Sequence, residues 1–304
     1  MGITVILGQM AVIAVLVAIG VFLGLRGTVD AVSSKSISTI VIDICNPALM
    51  LTTVLSGSIT ADHSDLLTAG AVAIIFYGVL VLIGILLPML LRVEKDNRRF
   101  YNVMCVYTNV GFIGIPVAHA VLPPNGMLCV LVCNVMYSLL FYTHGVAVLS
   151  GNKEKIRPSK ILSPGTIAAV LSILIVWFEI RLPDVVNEMV SYVGNATVFL
   201  SMMLLGVSIA RSRLWEALRD ARIWLFILLR MMVLPALLAV VLRLLGMDPV
   251  IVAGMCLMAT MPVGNIPLIQ AEKMGEDTSI LSRAIAMTTV VSIATITCFM
   301  AVLA

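Results

Sequence analysis

Two short stretches decide how this chain is read: TNVGFIGIP at residues 108–116 and MPVGNIP at residues 261–267. Each gathers glycine, asparagine and proline in the middle of a long apolar run. Proline lacks a backbone donor and its ring crowds the preceding turn, while glycine tolerates backbone angles that other residues avoid. Each stretch is therefore expected to interrupt a helix. Unpaired backbone groups in hydrocarbon are costly, so such interruptions survive only where they are buried in protein or line a wet cavity.

The composition around them supplies the membrane. The chain has 304 residues, 61% hydrophobic and 12% charged, with a mean hydropathy of +1.13. A soluble domain carries about 25% charged and 45–50% apolar residues. This balance excludes a soluble enzyme, a secreted disulfide scaffold, a disordered tail and a nucleic-acid binder. An all-α polytopic membrane protein remains. The net charge of +3 matters less than where the charges lie, which is in short clusters between apolar runs. All six cysteines fall inside those runs, where thiols behave as small apolar groups, so no disulfide is expected. Cys129 and Cys133 are too few for a metal site. The apolar start, Ile3 to Leu25, lacks a basic leader and exceeds a signal-peptide core, so it reads as a retained first span.

A bilayer core of about 30 Å takes about 20 apolar residues per helix. Ten spans follow: 3–25, 36–56, 66–91, 99–122, 127–149, 164–181, 185–210, 222–245, 250–270 and 278–303. The longest connection, around 150–163, is linker-sized, which leaves no soluble domain for catalysis. Sixteen of the nineteen lysines and arginines sit in the five loops after spans 1, 3, 5, 7 and 9. The alternate loops hold only Arg181 and Arg243. By the positive-inside rule both termini lie outside and the basic loops in the cytoplasm.

The halves look alike. Asn46-Pro47-Ala48 in span 2 has a counterpart in Asn195-Ala196-Thr197 in span 7, and Pro88 in span 3 has one in Pro235 in span 8. Met104-Cys105 and Ile115-Pro116 in span 4 match Met255-Cys256 and Ile266-Pro267 in span 9. The separations run from 147 to 151 residues. Five spans per unit is an odd number, so the second copy enters the membrane inverted, an arrangement typical of secondary transporters. The predicted units are 1–150 and 151–304. Their equivalent breaks would bring two unwound stretches together near the midplane, with half-helix N-termini suited to a carboxylate.

The stretch Asn109–Pro116 resembles the fourth helix of the auxin efflux carrier family (the PIN-like carriers). Met261 to Pro267, continuing to Ala271-Glu272-Lys273, resembles the ninth. Pro47 and Gly206 fall where members often have proline and glycine. The long cytoplasmic loop of plant members is absent, so the chain is similar to a compact bacterial-type member. The resemblance implies ten helices in two inverted five-helix repeats, related to the bile acid–sodium symporter and sodium–proton antiporter folds. Helices 1, 2, 6 and 7 form a scaffold, and helices 3–5 and 8–10 an elevator-like transport unit in which broken helices 4 and 9 cross. It also implies that Asn109 contacts a substrate carboxylate and that Pro116 and Pro267 are the crossover prolines. Asn265 stands where the plant pattern has an apolar residue. Bacterial relatives described as malate or malonate carriers make small organic acids as suitable a cargo as auxin.

The candidate substrate-binding set is Asn109, Gly111, Gly114, Pro116, Pro262, Gly264, Asn265 and Pro267, with Asn46, beside Ile44 and Cys45, and Asn195 as the facing wall. Ionisable groups within spans are functional candidates by default. Asp43, His119 and Arg230 are candidates for ion or proton coupling, although Asp43 also reads as a hydrogen-bonded structural group near the cytoplasmic boundary and His119 as a satisfied buried histidine. Arg230 lies about 12 Å from the basic loop at helical rise, a depth from which a long side chain also snorkels to the interface. His144, Asn134 and Tyr137 in span 5 carry weaker context. The expected function is secondary transport of a small organic anion in the cell (inner) membrane, without a bound cofactor or metal. Sodium or proton coupling and a homodimer are compatible with it. A cation–proton antiporter and a non-transporting sensor are the competing readings, and no nucleophile–base set for catalysis is visible.

Overall fold

The computed structural model describes residues 3–55, 63–151, 164–211 and 218–303. Lys153, Lys155, Arg157, Lys160 and Arg213, on which part of the orientation reading rests, lie outside them. Among the described residues the chain is helical apart from turns and one isolated bridge. The helices are α1 (Ile3–Leu25), α2 (31–55), α3 (His63–Leu90), α4 (98–121, interrupted), α5 (Met127–Leu149), α6 (Pro164–Trp177), α7 (Asp184–Arg211), α8 (Ala221–Leu244), α9 (249–273, interrupted) and α10 (Ser279–Leu303). Six of them, α2, α3, α5, α7, α8 and α10, are uninterrupted, long and apolar enough to cross a membrane.

Aspartates start several of these helices. Asp30, Asp220 and Asp248 accept from the N–H groups of Ser33, Arg222 and Val250 at 2.7, 3.0 and 2.7 Å, satisfying donors that the first turn leaves unpaired. The Ser33 N–H also holds the exposed Asp30 carboxyl below the usual carboxylate range.

Prolines shape the helix interiors. Helices α2, α4, α5 and α8 each contain a widened π turn, Val41–Cys45, Val110–Gly114, Phe141–Gly145 and Leu228–Val233. All but that of α5 end two residues ahead of a proline: Pro47, Pro116 and Pro235. A proline cannot donate, and it crowds the carbonyl four residues back. Widening the preceding turn accommodates both defects without breaking the rod.

Helices α1 and α7 pack along their lengths at backbone contact. A methyl group built on Gly20 would lie 2.1 Å from the Met203 carbonyl oxygen, and one on Gly206 would lie 2.1 Å from that of Val17. Small residues bring membrane helices this close. Helix α7 also packs on α2, where Gly194 meets the backbone of Leu49, and α6 packs on α2 as well. A second set of contacts joins α3 to α4 and α5, α8 to α9, α9 to α10 and α5 to α9. Within that set Cys105 Sγ reaches the Leu80 carbonyl and Cys256 Sγ that of Pro235, each at 3.9 Å. Where α4 enters, Arg99 makes a two-pronged ion pair with Glu276, at 2.9 and 2.5 Å, and donates to the Leu149 carbonyl at 2.7 Å. It ties α4, the end of α5 and the α9–α10 turn together.

Candidate functional site

The first half of α4, Arg98–Val106, ends at Tyr107, and the first half of α9, Pro249–Thr260, ends at Met261. Residues 107–109 and 261–264 are not helical. They run antiparallel and pair at Thr108 and Val263. The Asn109 N–H donates to the Pro262 carbonyl at 2.7 Å, and the Gly264 N–H to the Tyr107 carbonyl at 2.9 Å. A methyl group on Gly264 would lie 2.9 and 3.0 Å from the carbonyl oxygens of Tyr107 and Thr108, so a side chain there would push the two stretches apart. The α9 helix resumes at Asn265.

The sequence reading placed the first interruption across Asn109–Pro116, and the structure corrects this. Only Tyr107–Asn109 unwinds; Val110–Gly114 winds as the π turn, and Pro116 lies in the first turn of Ile115–Val121. Pro267 likewise sits in the first turn of the resumed α9, where backbone donors lack intrahelical partners in any case. Pro267 opens the second half of α9 and Pro116 follows the π turn with which the second half of α4 begins, while glycine and main-chain pairing make the crossing.

One donor of the second break finds a side chain. The Val263 N–H donates to Thr288 Oγ1 of α10 at 3.1 Å, and that hydroxyl donates to the Ala284 carbonyl at 2.7 Å. The sequence carries no signal for this role. Thr288→Val keeps the shape but strands a buried N–H, which costs about 1–3 kcal/mol. A lowered thermal midpoint for Thr288→Val, with Thr288→Ser near wild type, is the expected result.

Arg230 was weighed as a snorkelling residue, and the structure shows the opposite. Its side chain is 2% exposed and turns inward from the π turn of α8. Nε donates to the Cys105 carbonyl at 2.8 Å and Nη1 to that of Ala259 at 2.6 Å. These carbonyls belong to the last turns of the two first half-helices.

The other predicted residues divide. Asn109 is buried, 3% exposed, and Asn46 lies over Gly111, its Nδ2 2.9 Å from where a methyl group on that glycine would sit. Gly114 faces Met258 of α9 in ordinary contact. Asn46 and Asn265 each hold a buried Oδ1 that accepts no hydrogen bond among the described residues. Asn109, Gly111, Asn46, Pro262 and Gly264 are thus brought to the crossing or its immediate wall. Asp43, His119 and Asn195 are exposed. Tyr107, unremarked in the sequence, anchors the first break. Its hydroxyl lies 3.0 Å from the Leu140 carbonyl and 2.9 Å from His144 Nδ1, and its ring packs edge-on against Tyr137 and Phe141. Gly145 leaves room for that ring.

Comparison with known proteins returns one family model, described as "Membrane transport protein", which matches residues 5–300. An uncharacterized transporter of Methanocaldococcus jannaschii is 24% identical over 295 residues, covering 93% of this chain and 94% of that protein. An uncharacterized transporter of Methanothermobacter thermautotrophicus is 22% identical over 286 residues, covering 92% and 93%.

Proposed function

Given that the chain belongs to this membrane transport family, that of the auxin efflux carriers, we propose that it is a secondary transporter of small organic anions working by an elevator-type cycle. The proposed frame is ten membrane-spanning helices in two inverted repeats, 1–150 and 151–304, with both termini outside the cell membrane and the basic loops in the cytoplasm. Helices α1, α2, α6 and α7 form the fixed scaffold, and α3–α5 with α8–α10 the moving unit. The packing of α1 on α7 and of α6 and α7 on α2, and that among α3, α4, α5, α8, α9 and α10, supports this division, with α5 and α6 touching across it. So does the seam between α1 and α7 on one side and α4 and α10 on the other. It is lined mainly by apolar side chains such as Ile13, Val17, Val117, Met202 and Leu205, with Thr289 and Ser292 of α10 among them; the Ser292 hydroxyl is spent within its own helix, on the Thr289 carbonyl.

The observation that carries the reading is the pairing of two unwound stretches at Thr108 and Val263. It sets polar side chains and helix starts deep inside an apolar chain. Asn109 and Asn265 hydrogen-bond the carboxylate, and Asn46 closes the site from the scaffold side. A carboxylate that loses one charge-assisted hydrogen bond is expected to be carried about tenfold or more slowly. In proteoliposomes, saturable uptake of labelled dicarboxylates or aromatic acids is expected, and Asn109→Ala should cut it by that factor. Absence of saturable flux for any organic acid, or an Asn109→Ala variant matching wild type, would remove the reading.

A further inference from the structure

The pairing of the two breaks leaves main-chain acceptors behind, and two of them meet at one side chain. In unbroken helices the Cys105 carbonyl would accept from the Asn109 N–H, and the Ala259 carbonyl from the Val263 N–H, four residues on. Both donors are diverted, Asn109 to Pro262 and Val263 to Thr288. The two stranded carbonyls are taken by one guanidinium, that of Arg230. It therefore replaces two of the helix bonds that the crossing removes, one in each broken helix.

The electrostatics follow. Each helix C-terminus carries roughly half a negative charge, and two of them converge on a group that is always cationic. Among the described residues no carboxylate pairs with Arg230; the ion pair present is that of Arg99 and Glu276. A buried charge persists only when its surroundings compensate it, and here the compensation comes from main-chain oxygens. Unwound carbonyls and half-helix C-termini are what discontinuous membrane helices offer to a coupling cation. In this chain that ligand set is already engaged by a side chain.

We propose that Arg230 is a resident counter-ion that occupies, at the crossing, the place a coupling cation would take. The identity of the cargo rests on the organic-anion reading; the counter-ion role does not. Because Arg230 belongs to α8, its charge stays with the crossing of α4 and α9 in both directions of the cycle.

The test compares wild type, Arg230→Ala and Arg230→Lys, purified in detergent and reconstituted. Wild type is expected to show the same thermal midpoint and the same flux in sodium, potassium and N-methylglucamine chloride. Arg230→Ala exposes the two carbonyls. Its midpoint should fall, then rise saturably with sodium or low guanidinium, since a ligand that binds only the folded state stabilises it by mass action. Arg230→Lys keeps the charge and should remain indifferent to the cation. Saturable stabilisation of wild type by sodium or lithium overturns the proposal. So does a folded Arg230→Ala protein whose midpoint equals that of wild type and ignores every cation. Should Arg230→Ala not be recovered folded, the wild-type comparison between sodium and N-methylglucamine decides alone. The thermal readouts need no substrate. Loss of organic-acid flux in every salt would therefore remove the cargo reading while leaving the counter-ion standing.

Discussion

Gly206→Ala is expected to lower the thermal midpoint of the purified protein by about 5–10 °C, the shift implied by overpacking worth about 3 kcal/mol. The added methyl group would meet the Val17 carbonyl oxygen at 2.1 Å and the Val21 nitrogen at 2.6 Å. Both are backbone atoms of a continuous helix, so neither moves aside without prying α1 off α7. Gly20→Ala meets the Met203 carbonyl from the other side and should do the same. Gly78→Ala is the control: it lies in α3 with nothing within 4 Å of the new methyl group, and alanine is the better helix former. Its midpoint should equal or exceed that of wild type. If Gly206→Ala behaves like Gly78→Ala, the two helices are not in backbone contact.

Gly264→Ala is expected to abolish transport while costing less stability. Its methyl group would sit against the carbonyls of Tyr107 and Thr108 at 2.9 and 3.0 Å, which forces apart the two stretches that the Gly264 N–H joins. Only a few tenths of an ångström are needed to clear the contact, and the surrounding helices need not separate. The geometry of the crossing is what suffers, and misplacement by about 1 Å in a positioned site is enough for a roughly hundredfold loss of function. Gly78→Ala adds the same methyl group away from the crossing, with nothing within 4 Å of it, and should transport as wild type. Initial rates in proteoliposomes, normalised to reconstituted protein, separate the two. Equal rates for Gly264→Ala and wild type would mean that the main-chain pairing does not shape the site.

The paired interruptions were legible because proline, glycine and asparagine cluster twice at nearly half the chain length, and because such residues have no place in an ordinary apolar helix. Where the backbone lets go was not. Tyr107 and Thr108 carry no breaking signal, and the proline at 116, which looks like the breaker, lies beyond the break behind a π turn of the helix that follows. The π turns escaped notice for a related reason. A proline in a helix announces a defect but not how the preceding turn absorbs it, and only the recurrence at Pro47, Pro116 and Pro235 makes the pattern plain. The depth of Arg230 could be counted from the sequence. Its destination could not, because the carbonyls of Cys105 and Ala259 are distant in the chain and main-chain acceptors leave no trace in a list of side chains. Thr288 is hidden in the same way. Gly20 and Gly24 in α1, facing α7, are the helix-packing glycines that spacing alone would have suggested.

Most of the junction between the broken helices is built from amide and carbonyl groups common to nearly every residue, with Gly264, Thr288 and Arg230 as the positions whose identity it demands. Neighbouring positions such as Asn109, Asn265 and Asn46 are therefore released from holding the architecture. Substitutions there are expected to alter what is bound while leaving the fold intact, so a few point changes would redirect the cargo without rebuilding the machine that moves it.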